Sequence, residues 1–170
     1  FSSPLEAFLH WETNTPNNIF LNQLINGKTI SYSYAQAGVE ARKIASALLS
    51  FNLPKRSHVA LLSKNCAHWH ISDLAIMMAG YISIPIYPSL TKETIELILN
   101  HSESKAIIIG KLEDYEAQKG GIPDIPKIGI GLYGINDGEQ WENLLEAHSP
   151  LQDVYTQKPD DLHTIIYTSG

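Results

Sequence analysis

The sequence has few basic residues, a single cysteine and no long apolar run. Lys and Arg total 12 against 18 Asp and Glu, giving a net charge of -6. This balance argues against nucleic-acid binding, which needs a basic surface to contact phosphates. Cys66 has no partner for an internal disulfide, which suits a reducing compartment. No apolar run approaches the roughly 20 residues that cross a bilayer, and Phe1 to Glu6 lack a signal-peptide pattern. The sequence therefore predicts a cytoplasmic protein, with peripheral membrane contact left open.

The composition is that of a globular domain. Of the 170 residues, 44% are apolar and 18% are charged. A chain of this length can bury a sizeable core, and its charge is too low for a disordered polyelectrolyte. We expect one α/β domain over residues 28–170, preceded by a lead-in segment over residues 1–27.

Short apolar runs alternate with helix-like segments along most of the chain. The turn signal Asn26-Gly27 lies between two β-like runs and predicts an N-terminal hairpin. Ser33 and Gln36 have the spacing of a capping box at the start of a helix. Asn65 and Thr91 are expected to cap two further helices. The predicted buried strands are 59–62, 81–86, 106–109, 127–132 and 163–167, and a short helix is predicted over 140–147.

This alternation also predicts the fold class. Strand, helix and strand in this order indicate right-handed βαβ crossovers and parallel pairing. The strand runs are apolar throughout, as expected for strands buried on both faces. The sequence therefore predicts an α/β fold with a mostly parallel sheet and helices on both faces, preceded by a β-hairpin.

Three glycines, Gly129, Gly131 and Gly134, match the dinucleotide-binding pattern G-x-G-x-x-G. That fingerprint needs a helix to open within the motif, so that its free N–H groups meet the pyrophosphate. Residues 135–138 are turn-forming instead, which favours a glycine-rich loop. A non-catalytic dinucleotide-binding module that uses Gly129–Gly134 is the alternative function.

Other chemistry-bearing residues have simpler interpretations. His68 and His70 are two positions apart in a predicted helix and point away from each other, so we do not expect them to share a metal. Cys66 has no evident partner base nearby and is expected to be a buried thiol. The acidic pairs Glu113-Asp114 and Asp160-Asp161 are expected on the solvated surface.

The last predicted strand runs into Tyr167-Thr168-Ser169-Gly170. Hydroxyls and unhindered N–H groups at the carboxyl edge of a parallel sheet are typical of phosphate-binding loops. Thr168, Ser169 and Gly170 are therefore candidate phosphate-binding residues, and Tyr167 is expected to pack behind them. An ordinary structural turn is the other interpretation of this segment.

Several motifs, taken in order, resemble the N-terminal part of an AMP-forming acyl-CoA synthetase of the acyl-adenylate-forming superfamily. The matching segments are Thr29–Tyr34, Val59–Asn65, Gly80–Leu90, His101–Ala106 and Asp160–Gly170. Within them, Ile84–Leu90 is similar to the "vPlYpTl" form of the long-chain fatty acid branch, and other branches more often carry Asn where Tyr87 stands. The resemblance covers residues 28–170, with a diverged stretch over 111–159.

This resemblance implies a two-step ligase. A fatty acid carboxylate attacks the α-phosphate of ATP, and the thiol of coenzyme A then displaces AMP. ATP, Mg²⁺ and coenzyme A are implied for the whole enzyme, with Thr168, Ser169 and Gly170 opening its phosphate loop. The rest of that loop, the family's magnesium-binding glutamate and its C-terminal lysine would lie beyond Gly170.

We therefore expect an N-terminal fragment that folds but does not catalyse. It is expected to hold no cofactor itself, and a homodimer is left open. The adenylation domain of a peptide synthetase and a luciferase-like enzyme are the alternatives within the superfamily.

Overall fold

A computed structural model describes residues 1–168, so Ser169 and Gly170 lie outside the described residues. Its strands are β1 (Ile19–Ile25), β2 (Lys28–Ser33), β3 (His58–Leu62), β4 (Ile82–Ile86), β5 (Ala106–Ile109), β6 (Lys127–Gly129) and β7 (Glu139–Gln140). Its helices are α1 (Pro4–Asn14), α2 (Tyr34–Ser50), α3 (Ala67–Met78), α4 (Lys92–His101), α5 (Tyr115–Gln118) and α6 (Trp141–Ala147). Within this part of the chain, no helix is both long and apolar enough to cross a bilayer.

Five strands form one parallel sheet in the order β4-β3-β5-β6-β7. The central strand β3 is paired on both sides, with Val59 opposite Ser83 of β4 and Ala106 of β5. Ala60, Leu61 and their neighbours in β3 are completely buried, because helices cover both faces of the sheet. The predicted α/β class, parallel pairing and apolar strands are confirmed.

Two apolar layers lie on opposite faces of the sheet. The first layer joins side chains of α1, α2, α3 and α6 to Val59 and Leu61 of β3. The second layer joins side chains of α4 to Ala60 and Leu62. Alternate residues of one strand thus point into different layers, which confirms helices on both faces.

The hairpin β1–β2 is antiparallel and turns at Asn26 and Gly27, as predicted. Both residues have positive φ, 51° and 76°, which is the geometry of a type I′ turn. The helix α1, which precedes this hairpin, was not predicted from the sequence. Ser3 caps that helix by accepting a hydrogen bond from the Glu6 N–H, and Phe8 of α1 is buried in the first layer.

The helix caps were predicted with one error. The capping box of Ser33 and Gln36 and the N-cap Thr91 are both present. The prediction that Asn65 caps α3 was wrong, since Cys66 occupies the N-cap position and makes no side-chain cap hydrogen bond. The first N–H of α3 donates instead to the side-chain oxygen of Gln23 in β1, 2.9 Å away. The hairpin therefore caps α3 from a distance in sequence.

The final third of the chain is less regular than predicted. The strand predicted over 127–132 ends at Gly129, because a single 3-10 turn follows over Gly131–Tyr133. The helix predicted over 140–147 begins at Trp141. The strand predicted over 163–167 reduces to a parallel bridge between Thr164 and Ser83 on the outer side of β4.

Candidate functional site

The end of the described chain lies at the carboxyl edge of the sheet. The Ser83 N–H donates to the His163 carbonyl at 2.9 Å, and the Ile165 N–H donates to the Ser83 carbonyl at 3.0 Å. Because this segment runs parallel to β4, it carries Thr168 towards the edge where ligands bind in open parallel sheets. Thr168 is exposed there, whereas Ser169 and Gly170, the other two candidates, lie outside the described residues.

Side chains alternate along the segment that leads to Thr168. Ile165 and Tyr167 pack against the second apolar layer. The Tyr167 hydroxyl also lies 2.8 Å from His101 Nδ1 at the end of α4. Tyr167 therefore packs within the second layer and connects the segment to the neighbouring helix α4.

A cleft of about 720 Å³ lies on the other side of the same segment. It is bounded by α3, by the end of β4 and by residues 163–167, and its lining is mostly apolar. Its lining includes Trp69, Asp73, Met77, Pro85, His163 and Ile166. Burial raises the pKa of Asp73, and Ser83 beside it opposes that rise. The cleft can therefore accept an apolar group, and a carboxyl with reduced acidity lies in its wall.

The glycine-rich motif at 129–134 does not form a phosphate cradle. The Gly131 N–H and the Leu132 N–H donate to the carboxylate of Glu142 in α6, at 3.3 and 2.9 Å. The motif forms a single 3-10 turn, not the start of a longer helix. The Glu142 carboxylate already accepts from the N–H groups that a pyrophosphate would need. The geometry therefore disfavours the dinucleotide-binding alternative.

Gly129 has a packing role in this motif. A Cβ at Gly129 would lie 2.3 Å from the Asp137 carbonyl oxygen, whereas Gly134 faces open space at φ 82°. We expect Gly129→Ala to destabilise the chain by about 3 kcal/mol, the upper part of the usual cost of overpacking, because the collision is with backbone. The matched control Gly134→Ala should cost about 1 kcal/mol, the cost of a left-handed backbone alone. Urea unfolding of both variants measures the difference, and equal losses would contradict this role.

The two histidines of α3 have separate surroundings, as predicted from their spacing. His70 Nε2 lies 2.9 Å from the side-chain oxygen of Asn65 at the helix start. His68 is buried and faces the opposite way. Within residues 1–168, no three His, Cys, Asp or Glu side chains are grouped as metal ligands.

His68 lies at the centre of a buried polar cluster that the sequence analysis missed. The His68 cluster comprises Tyr32, Glu40, His68, Tyr133 and Trp141. Tyr32 and Tyr133 hydroxyls lie 3.1 and 2.8 Å from the two ring nitrogens of His68. The Trp141 ring meets the imidazole edge-on, with centroids 5.6 Å apart. Five residues so far apart in sequence carry no common motif, so a pattern search could not have grouped them.

The acid–base groups of the His68 cluster are strongly shifted by burial. Glu40 Oε2 lies 3.7 Å from His68 Nε2 and has no hydrogen-bond partner among the described residues. Burial lowers the pKa of His68 to about 4, against an opposing effect of the Glu142 carboxylate. Burial raises the pKa of Glu40 to about 7, and the Trp141 indole opposes that rise. Near neutral pH the imidazole is therefore uncharged, while Glu40 is partly protonated.

The remaining candidates have structural roles. Cys66 is buried, as predicted, with its sulfur 3.7 Å from the Ser63 hydroxyl. Glu113 pairs with Lys64 on the surface, and Asp114 caps α5 by accepting from the Ala117 N–H. In the last acidic pair, Asp160 is exposed and Asp161 accepts hydrogen bonds from the Tyr155 hydroxyl and the Lys158 N–H.

Known acyl-CoA synthetases are similar to most of this chain. Fatty acyl-CoA synthetase A of Dictyostelium discoideum is 29% identical over 165 residues, which cover 86% of this chain and 24% of that protein. The peroxisomal long chain acyl-CoA synthetase 6 of Arabidopsis thaliana is 27% identical over 153 residues, covering 81% of this chain and 22% of that protein. The chain thus spans about a quarter of the length of these relatives.

Solved structures show the same fold at lower identity. A benzoate CoA ligase from Burkholderia xenovorans LB400 has a TM-score of 0.77 at 18% identity, covering 94% of this chain and 32% of that one. An anthranilate CoA ligase in complex with anthranoyl-AMP has a TM-score of 0.76 at 21% identity, covering 96% of this chain and 31% of that one. These likenesses establish the α/β fold.

The family assignment rests on nearly the whole chain. Residues 8–170 match the family described as AMP-binding enzyme. The match includes the hairpin, the parallel sheet and the segment that carries Thr168 to the sheet edge. This chain therefore belongs to the AMP-binding enzyme family.

Proposed function

We propose that this chain is the N-terminal part of an AMP-forming acyl-CoA synthetase that acts on long-chain fatty acids. The carboxylate of the acid attacks the α-phosphate of ATP, which forms acyl-adenylate and releases pyrophosphate. The thiol of coenzyme A then attacks the acyl carbon, which forms the thioester and releases AMP. One observation carries the proposal: the family match over residues 8–170 includes a segment that delivers Thr168 to the carboxyl edge of the sheet.

The proposed role of Thr168, Ser169 and Gly170 is to begin the loop that holds the phosphates of ATP. A threonine hydroxyl and glycine-flanked N–H groups are donors suited to phosphate oxygens. Mg²⁺, when bound, offsets the charge of the leaving pyrophosphate. We assign neither a Mg²⁺ ligand nor a catalytic residue within residues 1–168.

The long-chain assignment has three supports. The relatives named above are fatty acyl-CoA and long chain acyl-CoA synthetases. Tyr87, the residue of the "vPlYpTl" motif that resembles this branch, is 71% exposed at the end of β4. The mostly apolar cleft beside it suits an enzyme that handles an acyl chain.

The isolated chain is proposed to fold without catalysing either step. Only the first residues of the phosphate loop are present in it, so ATP has few donors to bind. Fatty acid and coenzyme A are the proposed co-substrates of the whole enzyme. Peripheral contact with a membrane surface and formation of a homodimer are further proposals about that enzyme.

The test is to sequence the gene past codon 170 and to express its complete reading frame. Fatty-acid-dependent exchange of pyrophosphate into ATP should be detected, with long acyl chains preferred over benzoate and amino acids. Thr168→Ala should reduce kcat/KM for ATP by about tenfold, the value of one hydrogen bond to a charged group. Thr164→Ala, in the same segment but further from the edge, is the matched control. A stop codon after Gly170, or exchange that depends on amino acids, would contradict the proposal.

A further inference from the structure

A single arginine holds the chain segment that precedes Thr168. Arg56 lies in the turn before β3, and its guanidinium donates to the Gly80 carbonyl at 2.8 Å and to the Leu162 carbonyl. The same group lies over the ring of Tyr155, 4.9 Å from its centroid. Arg56 therefore links the end of α3 to two points of a segment about a hundred residues later, residues 155–162, which we name the C-terminal strap.

Within the described residues, few other hydrogen bonds fix the strap. The Tyr155 N–H donates to the Met78 carbonyl at 2.9 Å, and the Tyr155 hydroxyl donates to Asp161 at 2.8 Å. Gly80 allows the close approach of Tyr155, because a Cβ there would lie 2.9 Å from the ring. Immediately after the strap, the chain forms its single bridge to β4 and proceeds to Thr168. The strap therefore lies directly before the segment that carries Thr168, which Ile165 and Tyr167 also anchor against the second apolar layer.

The backbone of Arg56 has an unfavourable conformation. Its φ is 59°, in the left-handed region where a side chain is unfavourable and glycine is the ordinary residue. A non-glycine residue persists in this conformation when the surrounding structure compensates for it. The contacts of its guanidinium with two carbonyl groups and the Tyr155 ring can supply this compensation.

We propose that Arg56 is a positioning residue for Thr168. Arg56 donates a hydrogen bond to Leu162 and contacts the Tyr155 ring, and these contacts fix the register of residues 163–168 against β4. That register determines where Thr168 contacts the nucleotide. The effect of Arg56 on ATP binding rests on the proposed function. Its effect on the position of the strap does not.

The first test needs only the chain of 170 residues. Arg56→Gly removes the guanidinium and relieves the backbone at φ 59°. Amide hydrogen exchange, followed by NMR, should become at least tenfold faster at Ile165 and Ser83, the two N–H groups of the bridge. The Leu151 N–H, which donates to the Arg42 carbonyl ahead of the strap, is the internal control and should not change. Arg56→Lys, which keeps the charge but not the planar fork, should give an intermediate rate.

Two outcomes would overturn the proposal. Unchanged exchange at Ile165 and Ser83 would show that the strap holds without Arg56. Equal acceleration at Leu151 would show that Arg56 acts only on global stability.

The second test uses the enzyme from the complete reading frame. Arg56→Gly should raise KM for ATP in pyrophosphate exchange at least tenfold, with partial recovery in Arg56→Lys. A purely structural role would reduce the amount of active enzyme and leave KM unchanged. If the unsubstituted enzyme shows no exchange, the proposed function fails, while the hydrogen-exchange result still decides the role of Arg56.

Discussion

Replacing Trp141 with alanine should lower the free energy of unfolding by about 3–5 kcal/mol, the usual cost of deleting a large buried aromatic side chain. Trp141 is 1% exposed at the start of α6 and belongs to the first apolar layer. It also forms one wall of the His68 cluster, where its ring meets the imidazole. Its removal would leave a cavity beside polar groups that have lost contact with water.

The control for this substitution is Trp141→Phe. Phenylalanine keeps most of the apolar volume. The indole N–H that it removes makes no hydrogen bond within the described residues, although it favours the ionised form of Glu40. The loss should therefore be about 1 kcal/mol or less, within the range of volume-conserving exchanges. Urea unfolding followed by circular dichroism measures both variants. A loss below about 1 kcal/mol for Trp141→Ala would show that α6 does not stabilise the sheet.

The strands and most caps could be predicted because their signals are local. Runs such as Ala106–Ile109 are apolar at every position, which is typical of a strand buried on both faces. The Asn26-Gly27 turn and the Ser33 capping box are short-range patterns that this fold leaves intact. The helix α1 also had a signal that was missed, since Ser3 and Glu6 have the spacing of a capping box and Pro4 stands at the first helical position.

The errors arose where distant residues decide the structure. The cap of α3 comes from Gln23 in the hairpin, so the residues next to the helix gave no indication of it. The last predicted strand forms only one bridge, because it lies outside β4 at the edge of the described sheet. Arg56 and its acceptor Leu162 are similarly distant in sequence. Contacts of this kind depend on the topology of the fold, and no periodic pattern in the sequence indicates them.

The His68 cluster should contribute little net pH dependence to the free energy of unfolding between about 4.5 and 6.5, because two of its groups have opposite effects. Burial raises the pKa of Glu40 from 4.5 to about 7, so the folded chain holds a proton that the unfolded chain has released. This contribution is fully present below pH 4.5 and is lost as pH rises through 7. Burial lowers the pKa of His68 from 6.5 to about 4, so stability from this group increases over nearly the same interval.

Glu40→Gln should separate the two effects. Each pKa change corresponds to roughly 3 kcal/mol, of which relaxation around the cluster will remove a part. Without the Glu40 carboxyl, stability should rise with pH from about 4 to 6.5, as His68 alone requires. The variant should match the original chain near pH 4 and be more stable by about 2–3 kcal/mol at pH 8, where the buried carboxylate of the original chain is ionised.

Two neighbouring charged side chains also affect the pKa of Glu40. Lys43 on the same helix lowers the pKa of Glu40, and the carboxylate of Glu142 on α6 raises it. Glu146→Gln, which removes an exposed carboxyl on α6, is the matched control for the loss of one negative charge. Urea unfolding at pH 4, 5, 6.5 and 8 gives the four points needed. Parallel curves for Glu40→Gln and the original chain would mean that Glu40 is ionised at its ordinary pKa, and that solvent reaches the carboxylate beside His68.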